Sequence, residues 1–369
     1  MDKKRRKVAV FHNLPEGGGM RMLGSILNRY KKTHSIDLFV IAETLPVKVS
    51  GIKANFVKVK PWRGFLFRNL WILFKLPKIH RDLSKIINSN YDQAIVTHDY
   101  FTKSPYLLKY LTITTIYLCQ EPQREFYEPP EIHAPGLKEK LANILRYPIK
   151  IVDESNVNNA DNIVCNSQYS NSILKKVYGK KCEIVYPGVD EKKFRPVSLK
   201  KDKMILCVGG INPVKDQLFL VKAVKPLLDS YRLILVGQGK GDYVKKIMNE
   251  IEHSTNIEII QKVTDKKLID LYCRAMVVCI SAHNEPFGLS SIESQSCGTP
   301  VVSVQEGGPA ETIIEGKTGY LVERNTLEYR KKVLLAIKNH KKMGRASRRN
   351  IVNHWTWNET LKIFDKYMK

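Results

Sequence analysis

Two glutamates eight residues apart, Glu285 and Glu293, have the clearest potential for chemistry in this sequence. Glu285 lies in the polar loop Asn-Glu-Pro-Phe-Gly, and Glu293 lies in a segment of helical character. A short β-branched apolar run, 276–280, precedes the loop and predicts a buried parallel strand. One carboxylate is therefore expected in a loop mouth and the other inside the next helix. The N-terminus of that helix suits a phosphate, and the carboxylates suit hydroxyl groups.

The helix between the glutamates has its own start and stop signals. Ser290 and Ser291 can cap its N-terminus, and Gly298 followed by Pro300 ends it. The plain alternative is an ordinary strand, loop and helix with solvated acids. The spacing of the two glutamates alone does not decide between these interpretations.

Strand and helix patterns alternate through the whole chain. Apolar strand patterns at 8–11, 113–118, 204–208 and 232–236 are separated by helical patterns. This alternation predicts the α/β class, with two doubly wound, Rossmann-like parallel sheets facing each other across a cleft. The length of 369 residues also exceeds that of one ordinary core.

A charged, proline-containing run at 191–203 predicts the linker between the two domains. We therefore expect an N-terminal domain over 1–195 and a C-terminal domain over 196–352. The remaining segment, 353–369, is predicted to form a terminal helix.

Glycine-rich turns follow several of the predicted strands. Gly17–Gly19, with Arg21 after them, leads from the first strand into a helix. Gly209 and Gly210 follow the first strand of the second half, and Gly237 follows the next one. Because only glycine lets a backbone approach a phosphate closely, these turns are candidate nucleotide sites. The first turn lacks the Gly-x-Gly-x-x-Gly spacing and is a weak signal by itself.

The formal charge of +25 raises nucleic acid or an anionic membrane as a partner. Ten Lys/Arg and one acid lie between residues 45 and 85. Within that stretch, 60–78 interleaves cations with Trp62, Phe65 and Trp71, which is typical of a segment in a membrane interface. The alternative is a core helix with a basic outer face. No nucleic-acid-binding module is recognisable, so nucleic acid is not expected.

Other features bear on location. No stretch approaches the roughly 20 apolar residues of a spanning helix, and the basic residues at 3–7 lead into a predicted strand rather than a signal sequence. Seven scattered cysteines show neither metal spacing nor a disulfide framework. We expect a cytoplasmic protein with peripheral contact to the cytoplasmic face of a membrane through 60–78.

Seven short motifs occur in order over about 140 residues of the second half. They are Tyr186-Pro-Gly-Val-Asp190, Val208-Gly-Gly-Ile-Asn-Pro-Val-Lys215, Val236-Gly-Gln-Gly239, Glu285-Pro-Phe-Gly-Leu with Glu293, Cys297-Gly-Thr-Pro-Val-Val302, Gly307-Gly308 and Thr318-Gly-Tyr-Leu-Val322. Together they resemble the retaining glycosyltransferases of family 4, glycosyl transferases group 1. The N-terminal half matches more loosely, through 17–21 and through 119–124, which resembles a stretch of the mannosyltransferase-like members.

The resemblance implies a GT-B fold and transfer of a hexosyl group, with mannosyl as one candidate, from a GDP- or UDP-linked donor. Retention at the anomeric carbon is implied, by front-face transfer assisted by the leaving phosphate. The implied acceptor is a hydroxyl of a glycan, a lipid-linked glycan or a glycolipid. We expect no metal or other cofactor, because no Asp-x-Asp pair is present. The resemblance also implies that the N-terminal domain, 1–195, lies on the acceptor side and that the C-terminal domain, 196–352, binds the nucleotide-sugar. It further implies that the terminal helix packs back on the N-terminal domain.

The matched motifs also imply residue roles. Glu285 would bind sugar hydroxyls, Glu293 would bind the ribose, and Lys215 would stabilise the leaving diphosphate. The remaining implied nucleotide-sugar contacts are Gly18, Gly19, Arg21, Gly209, Gly210, Gly237, Phe287, Gly288 and Leu289.

Two positions depart from the family pattern. Gly210 and Asn212 stand where the family usually carries an Arg before Lys215. Losing one charge-assisted contact costs about 1.5–3 kcal/mol, which Arg21 or Arg124 would have to offset.

The second departure is Gln120, where the related stretch usually has His. Gln120 can hydrogen-bond a sugar hydroxyl but cannot titrate, so His98, predicted near the same rim, is a further catalytic candidate and also a candidate structural residue. The two departures motivate an alternative function, a non-catalytic GT-B protein that binds a nucleotide-sugar or serves as a partner subunit.

Overall fold

Long apolar runs in the sequence become the central strands of two all-parallel sheets. The structure is a computed structural model and describes residues 5–14, 17–41, 49–133, 136–197, 200–239, 241–251 and 256–369. Parts of three predicted features, the basic N-terminus at 3–7, the basic stretch at 45–85 and the linker at 191–203, lie outside the described residues.

Thirteen strands are present among the described residues. They are β1 Lys7–Asn13, β2 Ser35–Ile41, β3 Lys53–Val57, β4 Gln93–Asp99, β5 Thr114–Leu118, β6 Asn162–Cys165, β7 Glu183–Ile184, β8 Met204–Val208, β9 Arg232–Val236, β10 Ile257–Ile260, β11 Val277–Ile280, β12 Val301–Val304 and β13 Gly319–Val322.

Helices alternate with these strands along the same described ranges. They are α1 Gly18–Tyr30, α2 Phe65–Phe74, α3 Leu76–Asn90, α4 Leu107–Tyr110, α5 Pro130–His133, α6 Leu137–Leu145, α7 Tyr147–Val157, α8 Gln168–Tyr178, α9 Gln217–Val224, α10 Asp242–Glu250, α11 Asp265–Arg274, α12 Leu289–Ser296, α13 Pro309–Thr312, α14 Thr326–Lys338, α15 His340–His354 and α16 Trp357–Leu361. Four short 3₁₀ turns lie at Arg124–Phe126, Pro213–Lys215, Lys225–Leu227 and Ile363–Tyr367.

Each sheet is doubly wound. The seven-stranded sheet has the order β3-β2-β1-β4-β5-β6-β7, and the six-stranded sheet has the order β10-β9-β8-β11-β12-β13. Every strand pair is parallel, and the central strands are buried on both faces because their sequences are continuously apolar. The strand order reverses direction between β1 and β4 and between β8 and β11. This confirms the predicted α/β class with two Rossmann-like sheets.

The chain divides into two compact units, one for each sheet. Unit 1 comprises residues 1–166, 170–185 and 366–369, and unit 2 comprises 167–169 and 186–365. The main division therefore falls at 185/186, ten residues before the boundary drawn from the sequence. The terminal helix α16 lies in unit 2, and only the last four residues group with unit 1.

Helix α2 corrects one expectation about the basic aromatic segment. Trp71 was expected at a membrane interface together with Trp62 and Phe65, but it is buried and packs edge-on against Phe101, with ring centroids 5.2 Å apart. Trp62 and Phe65 are exposed. Since α2 is apolar on several faces, its sequence does not reveal which face is covered.

The prediction that Ser290 and Ser291 cap α12 is also wrong. The helix begins at Leu289, with Gly288 as its N-cap in the left-handed region at φ 84° and without a side-chain capping bond. Ser290 and Ser291 lie inside the helix, where the Ser291 hydroxyl and the Thr312 hydroxyl are 2.7 Å apart. Gly298, at φ 75°, ends the segment as predicted.

Candidate functional site

The candidate site in unit 2 lies where the strand order of the six-stranded sheet reverses. β8 and β11 are neighbours there, with Ile205 beside Val277 and Leu206 beside Val278. Because parallel strands end at the same edge, the loop 209–216 and the loop 281–288 both emerge at this edge. Doubly wound sheets bind their ligands at such a reversal.

The glycines that follow β8 and β9 allow the loop after β9 to pack directly against the loop 209–216. A Cβ atom on Gly237 would lie 1.8 Å from the Gly209 carbonyl oxygen, and one on Gly239 would lie 2.5 Å from Ile211 Cβ. The Gly209 N–H also donates to the Val236 carbonyl at 2.9 Å. Close packing of backbone on backbone therefore requires Gly237, independently of any nucleotide contact.

A tight turn presents Lys215. The Asn212 side chain accepts a hydrogen bond from the Lys215 N–H at 3.1 Å and so caps the 3₁₀ turn at Pro213–Lys215. Asp216 follows in the left-handed region at φ 43°, and its carboxylate caps α9 by accepting from the Phe219 N–H at 3.2 Å. The Lys215 ammonium forms an ion pair with the Glu285 carboxylate. Two predicted site residues that are 70 positions apart are thus in direct contact.

Two glycines, Gly307 and Gly308, pack directly against the backbone of the loop that carries Glu285. A Cβ atom on Gly307 would lie 2.2 Å from the Glu285 carbonyl oxygen, and one on Gly308 would lie 2.4 Å from the Pro286 carbonyl oxygen. The Gly308 N–H donates to the Glu285 carbonyl at 2.8 Å, and the Ser167 hydroxyl donates to the Pro286 carbonyl at 2.6 Å. These contacts fix the backbone on which the carboxylate stands.

Four charged side chains that the sequence did not reveal tie the two loops together. The Arg324 guanidinium donates two hydrogen bonds of 2.9 Å each to Glu306 and another, of 2.8 Å, to Asp216. His283 lies 3.3 Å from Asp216 and 3.5 Å from Glu306. The backbone N–H of His283 also donates to the Val214 carbonyl at 2.8 Å. We call Asp216, His283, Glu306 and Arg324 the charged network.

The charged network shifts the pKa values of His283 and Glu306. Hydrogen bonding to Asp216 and then to Glu306 raises the pKa of His283 to about 9, against the smaller opposing effect of burial. His283 and Arg324 lower the pKa of Glu306 to about 2, although burial acts in the other direction. At neutral pH the network therefore has two cations and two carboxylates, with its charges balanced internally.

Helix α12 contributes its N-terminus and a buried carboxylate. Its first N–H groups have no partner inside the helix and are donors for an anion. Glu293, one turn further on, is only 5% exposed, and the Tyr272 hydroxyl donates to it at 3.0 Å. The Phe287 side chain is buried against Tyr186 and Trp355, with ring centroids 6.2 and 5.7 Å away. Phe287 thus anchors the loop through its ring, so only its backbone could serve a ligand.

Unit 1 brings together a second group of predicted residues, at the reversal between β1 and β4. A Cβ atom on Gly19 would lie 3.4 Å from Gln120 Nε2, so Gln120 lies over the start of α1. The Gln120 N–H donates to His98 Nε2 at 3.1 Å. Burial keeps the pKa of His98 well below its usual value, so this imidazole is neutral and acts as an acceptor. Gly18 and the exposed Arg21 belong to the first turn of the same helix.

Arg124, which was considered as a replacement for the missing family Arg, already has an acidic partner within unit 1. Its guanidinium makes two hydrogen bonds of 2.8 Å to Glu128. Glu121 lies 3.9 Å from it and forms a further ion pair with Lys103 at 2.6 Å. Arg124 is therefore largely neutralised by its own surroundings.

Within the described ranges, no three His, Cys, Asp or Glu side chains are grouped so that they could hold a metal ion. Among the same residues, no helix combines the length and apolarity needed to cross a membrane. All seven cysteines are buried free thiols.

Comparison with solved structures defines the class of the fold. Sucrose-phosphate synthase from Thermosynechococcus elongatus superposes with a TM-score of 0.79 at 18% identity, covering 98% of each chain. An Anabaena protein solved in complex with UDP and glucose gives a TM-score of 0.76 at 16% identity, covering 99% of each chain. Such neighbours are GT-B glycosyltransferases, and the fold of this chain is the GT-B fold.

Comparison of sequences then gives a family match for the second half of the chain. Residues 189–351 match the family model Glycosyl transferases group 1, which confirms the predicted resemblance to that family over this part of the chain. A curated relative, D-inositol 3-phosphate glycosyltransferase of Streptosporangium roseum, is 31% identical over 197 residues, 46% of this chain and 45% of that protein. The chain spans about half the length of the first curated relatives it matches.

Proposed function

We propose that this protein is a glycosyltransferase that transfers a hexosyl group from a nucleotide-diphosphate sugar to an acceptor hydroxyl. The observation that carries the proposal is the contact of Lys215 with Glu285 at the strand reversal of unit 2. A cation for the leaving diphosphate and a carboxylate for sugar hydroxyls are the two groups that this reaction requires close together. The family match over 189–351 includes both residues.

The proposed donor is a UDP- or GDP-linked sugar, with mannose as one candidate. A UDP-linked donor has additional support, because the Anabaena neighbour was solved with UDP and glucose. The α12 N-terminus and Lys215 would neutralise the diphosphate without a metal ion. Glu293 would bind the ribose beside the hydrogen bond that its carboxylate accepts from the Tyr272 hydroxyl.

Retention at the anomeric carbon belongs to the proposal as well. Glu285 is the carboxylate nearest to Lys215, and its ion pair holds it as a polar contact for the sugar rather than as a free nucleophile. We therefore propose front-face transfer, in which the leaving phosphate accepts the acceptor proton. The proposed acceptor is a glycan, a lipid-linked glycan or a glycolipid, consistent with the proposed membrane contact of 60–78. The relatives named for D-inositol 3-phosphate and sucrose phosphate add a phosphorylated small molecule as an acceptor to be tested.

A thermal-shift panel of UDP, GDP and ADP, each with its common sugars, tests the donor. A ligand that binds only the folded state raises the melting temperature, by an amount that corresponds to about 2.7 kcal/mol at a hundredfold excess over its Kd. We expect one nucleotide to stabilise the protein and Glu293→Ala to weaken that shift. Glu293→Gln is the matched control, because it can still accept the Tyr272 hydrogen bond. No shift with any nucleotide would contradict the proposal.

A second candidate function is a non-catalytic protein that binds a nucleotide-sugar. It is favoured by the neutralised state of Arg124, which leaves the diphosphate side with fewer cations than the family usually has. Binding of a nucleotide-sugar without release of free nucleotide, in the presence of a range of glycan and phosphorylated acceptors, would support this candidate over the transferase.

A further inference from the structure

Three neighbouring helices of unit 1 expose an unusual amount of apolar surface. α7 lies beside both α2 and α6, so the three helices form one continuous layer. On α2 and the residues just before it, the exposed apolar side chains are Trp62, Phe65, Leu66, Phe67 and Phe74. On α6 and α7 they are Leu137, Leu141, Ile144, Leu145, Tyr147 and Ile151. We call this layer the α2–α6–α7 surface.

Helix α6 exposes its apolar face to solvent, whereas an ordinary surface helix buries that face. None of its nine residues is buried, and its apolar positions recur at i, i+4, i+7 and i+8, which places them on one face. Leu137 is 84% exposed and Ile144 is 69% exposed. Two polar contacts join the helix and its C-cap to Glu125, since Asn143 donates to the Glu125 carbonyl at 3.2 Å and Arg146 pairs with the Glu125 carboxylate at 3.0 Å.

Orientation of this kind costs free energy in water. Exposed apolar area carries a penalty of about 25 cal/mol per Å² relative to burial, and contiguous apolar patches of this type mark an interaction surface. A polar attachment with the apolar face outward is the arrangement of a helix that lies in a membrane interface.

The charges of the α2–α6–α7 surface indicate an anionic partner. Residues 60–78 and 136–151 contain nine Lys/Arg and one acid, Glu139. Arg146 and Lys150 have acidic neighbours, Glu125 and Glu154, so the attraction comes mainly from the cations of 60–78 and from Lys138 and Lys140. A second copy of the chain would bring the same positive charges face to face, which is unfavourable.

We propose that the α2–α6–α7 surface binds an anionic lipid bilayer, with the apolar face of α6 and the Trp62–Phe67 end of α2 inserted at headgroup depth. The cations attract anionic headgroups, each by about 1 kcal/mol near the surface. Trp71 does not take part in this contact, because its side chain is buried in the unit 1 core and attaches α2 to that core. This inference does not depend on the proposed transferase activity.

Co-sedimentation of the full chain with vesicles tests the proposal. We expect the wild type to sediment with vesicles that contain phosphatidylglycerol, to sediment much less with phosphatidylcholine alone, and to be partly released by salt. The double variant Leu141→Glu with Ile144→Glu should lower partitioning to the anionic vesicles by roughly tenfold or more, since two exposed side chains can no longer insert.

A matched control is available on another helix. Leu327 and Leu334 are 58% and 40% exposed on α14 in unit 2, and their replacement by Glu adds the same two negative charges outside the proposed surface. This control variant should sediment like the wild type, and both variants should keep the wild-type circular dichroism because all four side chains are exposed.

Three results would overturn the proposal. The first is equal sedimentation of the two double variants, and the second is failure of the wild type to sediment with either type of vesicle. The third is a wild-type dimer in analytical ultracentrifugation that dissociates in the α6 variant, which would assign the surface to a second copy of the chain.

Discussion

The two strand reversals of this molecule differ in how they hold charge. In unit 2, the loops after β8 and β11 are linked by the Lys215–Glu285 ion pair and by the charged network around His283. In unit 1, the corresponding place between β1 and β4 carries Gly19, Gln120 and a neutral His98. The same sheet topology therefore presents charged side chains at the reversal in unit 2 and, around Gly19 and Gln120, mainly neutral groups at the reversal in unit 1.

The difference fits the proposed function, in which the two crevices stabilise different groups. A leaving diphosphate develops negative charge, and preorganised cations and helix N-termini stabilise it most. An acceptor hydroxyl needs only hydrogen bonds, which an amide such as Gln120 can supply. The comparison leads us to expect that substitutions in unit 2 change rate or stability strongly, whereas substitutions in unit 1 have small effects.

Glu285→Gln should have the largest effect. The amide keeps the shape of the side chain but loses its charge, and removal of one preorganised polar contact of this kind lowers kcat by about a hundred- to a thousandfold. Nucleotide affinity should stay unchanged or rise, because Lys215 loses its acidic partner and is free for the diphosphate. Initial rates with the donor identified by thermal shift, together with the Kd of the free nucleotide, measure both quantities.

Glu323→Gln is the control for this prediction, since Glu323 is an exposed acid of the same unit. Wild-type turnover in Glu285→Gln would remove Glu285 from the site. A loss of nucleotide affinity parallel to the loss of rate would mean that Glu285 contributes to ground-state binding instead.

Gly237→Ala should have the next largest effect, on the stability of unit 2. A methyl group would lie 1.8 Å from the Gly209 carbonyl oxygen, so the loops after β8 and β9 would have to separate. Overpacking of backbone against backbone should cost about 3 kcal/mol or more. Chemical denaturation measures this loss.

Gly210→Ala tests the same loop without the backbone clash. Its added methyl group would lie 3.2 Å from the Asn212 side-chain amide, which can move aside. Equal destabilisation by the two variants would contradict the packing explanation for Gly237.

The Lys215–Glu285 part of this contrast could be predicted from the sequence, and the charged network could not. Both residues lie in loops directly after buried strands, so local patterns predict that they meet at one sheet edge. Arg324 and Asp216 are 108 positions apart and belong to no shared motif. Only the three-dimensional order of β8, β11, β12 and β13 brings such residues together.

The sequence also did not reveal which residues of an apolar helix are buried or which residue begins a helix. The segment at 65–74 is apolar on several faces, so nothing local distinguishes the buried Trp71 from the exposed Phe74. The cap of α12 was misassigned for a related reason. Serines favour the N-cap in general, but here Gly288 can adopt the left-handed conformation while a methyl group there would lie 2.8 Å from Pro309 Cγ.

His283→Gln should change the pH dependence of unit 2. The pKa of His283 is raised to about 9 in the folded protein, above its ordinary 6.5. Its interaction with Asp216 and Glu306 therefore stabilises the fold fully below about pH 6.5, and the stabilisation is lost as pH rises through about 9. The wild type should lose roughly 2–5 °C of melting temperature across this window from this source.

In His283→Gln that part of the pH slope should disappear, whereas His354→Gln, an exposed histidine at the end of α15, should keep it. A direct measurement is the NMR titration of the His283 ring. A midpoint near the ordinary value would contradict the charged network as described here.

Gly19→Ala should have the smallest effect and tests the unit 1 side of the comparison. The added methyl group would lie 3.2 Å from Leu14 Cδ1 and 3.4 Å from Gln120 Nε2, both ends of side chains that can move. Alanine is also favoured over glycine inside a helix by about 1 kcal/mol, which offsets the crowding. We expect a melting temperature within about 2 °C of the wild type. Nucleotide affinity tests the role that the family resemblance implies for Gly19: a clear loss of nucleotide binding in Gly19→Ala would support a contact of the glycine turn before α1 with the diphosphate, and unchanged binding would remove Gly19 from the nucleotide site.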